Sequence, residues 1–319
     1  MQPDVQLTVL MPVYNAGAFI SDAIASVLVQ DFTAFELLII NDGSTDDTAE
    51  QVNRFGDHRI RLISQPNMGI AAALNNGLVQ AKGIYIARFD ADDVCMPGRL
   101  SRQLGFLLSH PDHVAVGCEA EYITREGEHL FGFSCIGYDD EEIRSKLYVY
   151  CPFIHSGVMY RKQPVFDAGG YFTDAHNFED YLLWVRLARL GKFHNLREQL
   201  IQVRFHPDSV TIDEKWRGAR FRQIKRESIQ RGFISRAEGD ELLAIIRKQE
   251  VRKIKEGSYY ALCGKKYLLD NYQPARARSF LTKAIKKHPA RMDNYALYLL
   301  SFFPWPVLQW LHQRSPNTI

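Results

Sequence analysis

The chain predicts an α/β fold, with a Rossmann-like, mostly parallel central sheet followed by a C-terminal α-helical region. Three observations carry that reading. Between Leu7 and Ser109, short runs rich in Val, Ile and Leu alternate with stretches of helical periodicity. Runs that are apolar on both faces and separated by helices fit a parallel sheet covered on two sides. From Asp213 onward the pattern is almost wholly helical. Charge divides the chain in the same way. Residues 1–214 hold 17 Lys and Arg against 29 Asp and Glu, a net of −12, whereas residues 215–291 hold 21 against 7, a net of +14. An acidic front and a basic rear imply two regions with different partners, so we expect one domain over 1–213 and a basic helical region over 214–319.

The elements follow in order. LTVLM (7–11) reads as the first strand and leads into a helix over 18–29. FELLII (35–40) precedes a helix over 45–55, and IRLIS (60–64) precedes one over 70–81. IYIARF (84–89) ends at a run of aspartates, and residues 99–109 are helical again. Beyond Val114 the pattern is irregular: AEYIT and HLFGF read as short strands, DDEEIRSKLY as a helix and SGVMY as a strand. NFEDYLLWVRLARLG (177–191) predicts an amphipathic helix stopped by Gly191, and LIQVRF (200–205) a last strand. Residues 258–289 read as helix, turn near Asn271 to Pro274, and helix, like a single tetratricopeptide-type pair.

At 319 residues, with 46% hydrophobic and 24% charged content, the chain has the composition of a globular protein with a sizeable core. Its five cysteines have no metal-ligand spacing and an odd count, which points to a reducing compartment. The N-terminus shows no basic and apolar pattern of a signal peptide, so the expected location is cytoplasmic. The tail, apolar and aromatic over 295–311, is interrupted by Pro304 and Pro306 and too short to span a bilayer. Two readings stand: a terminal helix packed on its own domain, or an interfacial element at the inner face of the cell membrane, with Trp305 and Trp310 at headgroup level. The basic stretch upstream suits anionic lipid and makes the contact peripheral.

Ligands of parallel α/β sheets bind beyond the carboxyl ends of the strands. Here those ends read PVYN, NDGS, QPNMG and DADD, all polar, small or acidic. In NDGSTDDT (41–48), Asp42 leaves the strand, Gly43 permits the turn, and Ser44 or Thr45 can cap the next helix. A strand-end carboxylate such as Asp42 can also accept hydrogen bonds from a nucleobase or ribose. The DADD stretch crowds Asp90, Asp92 and Asp93 within four positions. Water around an exposed turn would relieve that repulsion, and so would a cation. Mg2+ or Mn2+ prefers hard oxygen ligands and combines one or two carboxylates with substrate phosphates.

Seven stretches, VLMPVYNAGAFISDAIASVLVQ, LLIINDGSTDDT, NMGIAAALNNGL, YIARFDADDVCMPGRL, PFIHSGVMYRK, AGGY and FEDYLLWVRLARLGK, follow in order the pattern of family-2 glycosyltransferases. The resemblance spans about Leu7 to Thr211. It implies a GT-A fold, a nucleotide-diphosphate sugar donor (a UDP-sugar first among them), a divalent cation, Mn2+ or Mg2+, and inversion at the anomeric carbon. It also implies that Pro12, Val13, Tyr14, Asn15, Asp42, Asn67, Gly69, Arg88, Asp90 and Ala91 surround the nucleotide sugar and that Asp92 binds the metal. Many relatives carry arginine at Leu74, so a cationic contact from that position is lost here.

Inverting transfer needs a carboxylate opposite the leaving group to take the acceptor hydroxyl's proton. The FED stretch offers two; the resemblance favours Asp180 as base and puts Glu179 nearer the acceptor, with an ordinary helix cap as the plain alternative. Trp184, one helical turn on, either stacks on a sugar or packs in the core. His206, after the last strand, is either a metal ligand or structural, and His155 lines the acceptor side.

The expected activity is therefore metal-dependent hexosyl or N-acetylhexosaminyl transfer to a glycan or lipid-linked acceptor in surface polysaccharide biosynthesis (lipopolysaccharide, capsule or exopolysaccharide). The alternative is a non-catalytic sugar-nucleotide or glycan-binding protein on the same scaffold; it predicts loss of Asp92 or of the Glu179–Asp180 pair, and both are retained. A nucleotidyltransferase would need a basic Gly-rich loop after the first strand, where PVYNAGAF has neither Lys nor Arg. A dehydrogenase would need GxGxxG there. The basic region lacks a nucleic-acid recognition motif, so no nucleic-acid partner is expected.

Overall fold

The computed structural model describes residues 6–209, 218–249 and 252–313. The expected boundary between 213 and 214 lies outside the described residues. Two compact units emerge: one holds residues 6–121, 133–203 and 220–243, the other 122–132, 204–209, 218–219, 244–249 and 252–313.

The first unit opens with β1 (Leu7–Val13), α1 (Ile20–Leu28), β2 (Phe35–Asn41), α2 (Thr48–Asn53), β3 (Ile60–Ser64), α3 (Ile70–Gln80) and β4 (Tyr85–Arg88). β1 and β2 are buried at every position, as their unbroken apolar runs require, and Ile20, Ala23, Ile24, Val27, Leu74 and Leu78 of the helices are buried as well. β3, the edge of this half, is only half-buried. Next come β5 (Val94–Cys95), α4 (Arg99–Ser109), β6 (His113–Ile123), β7 (His129–Phe133), α5 (Asp140–Lys146), a 3-10 turn (His155–Gly157), β8 (Met159–Arg161), α6 (Lys162–Asp167), α7 (Glu179–Leu187) and β9 (Lys192–Arg204).

The sheet runs β3-β2-β1-β4-β8-β6-β9-β5, with β7 paired to β6. β1 pairs in parallel with β2 and with β4, and β2 with β3. Beyond β4 the pairs β4–β8, β6–β8 and β5–β9 are antiparallel. The chain builds outward from β1 to β3 and then returns to β4 on the other side of β1. The strand order reverses there, and at such a reversal ligands of parallel α/β sheets bind in the crevice beyond the strands' carboxyl ends. The α/β class holds, with its parallel half where the sequence placed it.

Several boundaries moved. α2 starts at Thr48, three residues late, because Asp46 rather than Ser44 or Thr45 bonds its first turn: Oδ1 accepts from the Thr48 amide at 3.1 Å. α7 is shorter than 177–191; Asn177 sits at φ 69° and Phe178 is its N-cap, so the helix cannot begin earlier. SGVMY begins as the 3-10 turn and becomes strand only at Met159. β9 extends eight residues upstream of the expected strand.

The helices α8 (Ala219–Arg231), α9 (Arg236–Gln249), α10 (Arg252–Leu269), α11 (Pro274–Lys287), α12 (Met292–Leu300) and α13 (Trp305–Gln313) complete the described chain. In the second unit, Leu130, Phe205, Tyr259, Cys263, Tyr267, Leu268, Ala277, Leu281 and Leu308 form one core. α10 and α11 are the expected helical pair, and Gly264 lets them meet: a Cβ there would sit 2.7 Å from Leu281 Cγ. No described helix is long and apolar enough to cross a membrane.

Candidate active site

The ends of β1 and β2 form one rim of the crevice. Asn15, at φ 50°, donates its amide to Ser44 Oγ at 3.0 Å and accepts the Thr45 amide on Oδ1 at 2.8 Å. Pro12 and Val13 are buried, so only their backbone borders the crevice, whereas Tyr14 is exposed. Asp42 is buried; Oδ1 accepts from Gln65 Nε2 at 2.7 Å and the Met68 amide at 2.9 Å, and Oδ2 from the Gly69 amide at 2.8 Å. The carboxylate thereby holds the loop over 65–69, which carries the exposed Asn67. Gly43, at φ 75°, completes the rim. A Cβ there would lie 2.7 Å from the Asn67 amide, so no larger residue fits.

The opposite rim follows β4. Carboxylate oxygens of Asp90, Asp92 and Asp93 lie within 4.8 Å of one another. Beneath them Arg88 is 1% exposed and donates from Nη1 to Asp90 Oδ2. Burial alone would push the guanidinium down, but the Asp90 charge more than offsets it and its pKa rises. Asp90 itself is pushed up by burial and by Asp92, against the pull of Arg88, although 32% of its side chain stays exposed. The Asp90 amide donates to Ser156 Oγ at 2.9 Å. Arg88 therefore holds Asp90 from below. Ala91 is buried and Gly69 is exposed at φ 86°.

A second group faces this one. His155, Glu179 and Asp180 bring ligand atoms within 4.8 Å of one another. Glu179 and Asp180 open α7, where the helix dipole favours negative charge. Asp180 Oδ1 accepts the Tyr181 amide at 2.7 Å, and Oδ2 lies 3.8 Å from the Cys151 thiol. Glu179 is 7% exposed; burial, then the Asp180 charge, lifts its carboxyl to about 8, and Asp90 adds to the push. Ser156, the neighbour of His155, accepts the Asp90 amide and so joins the two groups. His155 Nε2 is 3.1 Å from Tyr171 Oη, which is 3.3 Å from Tyr160 Oη. Burial and then Arg88 hold the imidazole pKa well below its usual range.

Trp184 is wholly buried, edge-on to Phe153 at 5.3 Å and to His155 at 6.0 Å. The sugar-stacking expectation is corrected: the indole is core and backs the His155 ring. His206 is described with the second unit, where its Nδ1 accepts the Asp208 amide at 3.3 Å. Ser156, Tyr171, Gln65 and Cys151 were missed as supports of this site. The first and second lie inside the quoted stretches PFIHSGVMYRK and AGGY, and no spacing signal marks the other two.

The glycosyl transferase family 2 profile matches residues 8–166. Putative glycosyltransferase EpsE of Bacillus subtilis is 32% identical over 212 residues, 64% of this chain and 74% of that one. The chain belongs to glycosyltransferase family 2. This family 2 member also resembles the amylovoran biosynthesis glycosyltransferase AmsE of Erwinia amylovora, at 29% identity over 215 residues, 66% of this chain and 80% of that one. Among solved structures, S. aureus TarS 1-349 in complex with UDP-GlcNAc aligns with a TM-score of 0.57 at 15% identity, covering 98% of this chain and 92% of the other. The mannosyltransferase PcManGT of Pyrobaculum calidifontis, in complex with GDP-Man and Mn2+, aligns with a TM-score of 0.52 at 16% identity, covering 98% and 88%. These likenesses identify the family 2 chain's fold as GT-A.

Proposed function

We propose that this glycosyltransferase passes a sugar, with inversion, from a nucleotide-diphosphate sugar to a glycan or lipid-linked acceptor of a surface polysaccharide. A UDP-sugar is the first donor to test, and the reaction is placed at the inner face of the membrane. One observation carries the reading: two carboxylate groups, one after β4 and one opening α7, are joined through the His155–Ser156 turn, where Ser156 accepts the Asp90 amide. TarS with UDP-GlcNAc, PcManGT with GDP-Man and Mn2+, and AmsE in amylovoran biosynthesis support it.

The donor set after β4 suits a divalent cation, Mn2+ or Mg2+. Its oxygens are hard, clustered, and only partly neutralised by Arg88. Asp92, together with an oxygen of Asp90 or Asp93, would hold the ion. When bound, the ion would offset the charge of the departing diphosphate. The chain's own groups do the rest. Asn15 and the loop fixed by Asp42 border the nucleotide. Asp180 takes the acceptor hydroxyl's proton as that oxygen bonds to the anomeric carbon and the bond to the diphosphate oxygen breaks. Glu179, protonated at neutral pH, donates a hydrogen bond without adding a second negative charge beside the base. His155, neutral and anchored by Tyr171, holds the wall next to them.

Thermal-shift measurements of nucleotide sugars with and without Mn2+, followed by donor-turnover assays, test this. Asp92→Ala should lose the Mn2+-dependent stabilisation. Asp180→Asn should keep donor binding and lose about 10²–10⁴-fold in turnover. Turnover retained in Asp180→Asn moves the base elsewhere, and binding without turnover in the unaltered protein favours a non-catalytic binder.

A further inference from the structure

Helix α12 buries an amide and leaves apolar side chains in water. Its inward positions are Asn294, 1% exposed, Leu297, Tyr298, Leu300 and Ser301, while Met292, Ala296 and Leu299 are exposed together with Asp293, which is paired with Arg291. The outward stripe continues into Phe302, Phe303 and Val307, and Met292, Leu299 and Phe302 are 73%, 64% and 63% exposed. A surface helix ordinarily buries the apolar stripe and exposes the amides and hydroxyls. Here the buried Asn294 amide lacks a hydrogen-bond partner among the described residues, while Leu and Phe face outward. An exposed, contiguous apolar stripe of this kind marks a docking surface.

We propose that this stripe of α12 and the following turn inserts into the surface of an anionic phospholipid bilayer. Charge selects that occupant. Residues 252–291 carry 11 Lys and Arg against 2 Asp and Glu, a net of +9. Arg278 stands at the edge of the stripe, its guanidinium carbon 4.7 Å from the Phe302 ring centroid and its Nη1 donating to the Ser301 carbonyl at 2.9 Å. Lys283 and Lys286 are exposed on α11, while Arg276 pairs with Glu128 at 3.0 Å. A second copy docking through the same face would bring two such basic surfaces together, whereas anionic headgroups neutralise them. Pro304 separates α12 from α13, each nine residues long, about 14 Å of helix. These segments lie in an interface about 5–10 Å deep and do not span it.

The test is co-sedimentation of the full chain with vesicles of phosphatidylcholine, with and without phosphatidylglycerol, at low and high salt. The chain should bind the anionic vesicles, bind the neutral ones weakly, and be released by salt. The triple substitution Leu299→Ser, Phe302→Ser, Phe303→Ser should partition at least about tenfold more weakly, with an unchanged thermal midpoint because all three sites are exposed. Lys283→Gln with Lys286→Gln should weaken binding to anionic vesicles about fivefold or more and leave neutral vesicles unaffected. Absence of binding by the unaltered chain overturns the proposal, as does equal binding by the triple variant. A dimer in sedimentation velocity that the triple substitution dissociates, without lipid binding, overturns it in favour of a second copy. The readout is partitioning, so it stands apart from whether any sugar is transferred.

Discussion

Glu179 offers a direct measurement of the charge crowding in the crevice. Its carboxyl moves from an ordinary 4.5 to about 8, through burial first and the Asp180 charge second. Between those two pH values the native state holds a proton that the unfolded chain has released. Stability contributed by that proton is therefore full below about pH 4.5, declines as pH rises, and is gone above about 8. At about 1.4 kcal/mol per pH unit, the interval from 4.5 to about 8 sets a ceiling near 5 kcal/mol. Asp180 can take up part of the load as the pair titrates, so about 2–3 kcal/mol is the expected loss. Glu179→Gln keeps the shape and removes the titration. Denaturant unfolding of both proteins at pH 5 and pH 9 gives a double difference in which every other titrating group, His155 and His194 included, cancels. The Gln variant should lack about 2–3 kcal/mol of the decline. Parallel pH profiles for the two proteins would refute a buried, protonated Glu179.

Three further outcomes follow from named contacts. Asp42→Ala strands three donors, Gln65 Nε2 and the Met68 and Gly69 amides, at about 1–3 kcal/mol; amide exchange at Met68 and Gly69 should accelerate and nucleotide-sugar binding weaken, and unchanged exchange removes Asp42 from this loop. Gly264→Ala gains about 1 kcal/mol of helix propensity but forces a Cβ to within 2.7 Å of Leu281 Cγ, and overpacking at about 1–3 kcal/mol should win. Gly105→Ala in α4 meets nothing within 4 Å and should stabilise by about 0.5–1 kcal/mol, so equal effects at the two glycines would discredit the packing account. Trp184→Ala empties the wall behind His155 and should cost about 3–5 kcal/mol in urea unfolding; a cost below 1 would mean the indole is not core.

The parallel half of the sheet was legible because its inner strands β1 and β2 are buried at every position, which writes continuous Val, Ile and Leu into Leu7–Val13 and Phe35–Asn41. The antiparallel half was not. β5 is two residues long and exists because Val94 and Cys95 pair with Gln202 and Ile201, a hundred positions away. The upstream half of β9, KFHNLREQ, carries mostly polar side chains, so its strand character comes from its neighbours and not from alternation. The acidic stretches pointed to the site because DADD closes β4 while NDGS closes β2, two acidic strand ends on the same edge of the sheet. Direction was what the sequence left unwritten. Arg88 and Trp184 lie on the crevice side of their elements in number only; burial turns one beneath Asp90 and the other behind His155. The same holds for α12, whose apolar residues were visible in the sequence but whose outward orientation was not.

The crevice gathers five carboxyl groups, Asp90, Asp92, Asp93, Glu179 and Asp180, against two wholly buried guanidinium groups, Arg88 and Arg99. Ionised throughout, that set would carry −3, with much of it away from water. Two features ease that charge without a ligand, the first by pairing within the sum and the second by lowering it. Arg88 pairs with Asp90 from below, and Glu179 keeps its proton at neutral pH. Among these seven groups −2 remains, and Asp90, Asp92 and Asp180 retain some access to solvent. A dication is the smallest species that cancels that remainder, and hard oxygen donors are what it prefers. A third buried cation in the protein would have done the same work permanently and left nothing to hold a diphosphate. Crowding three aspartates after β4 is thus stable enough to fold, because of Arg88 and the Glu179 proton, and still charged enough to bind.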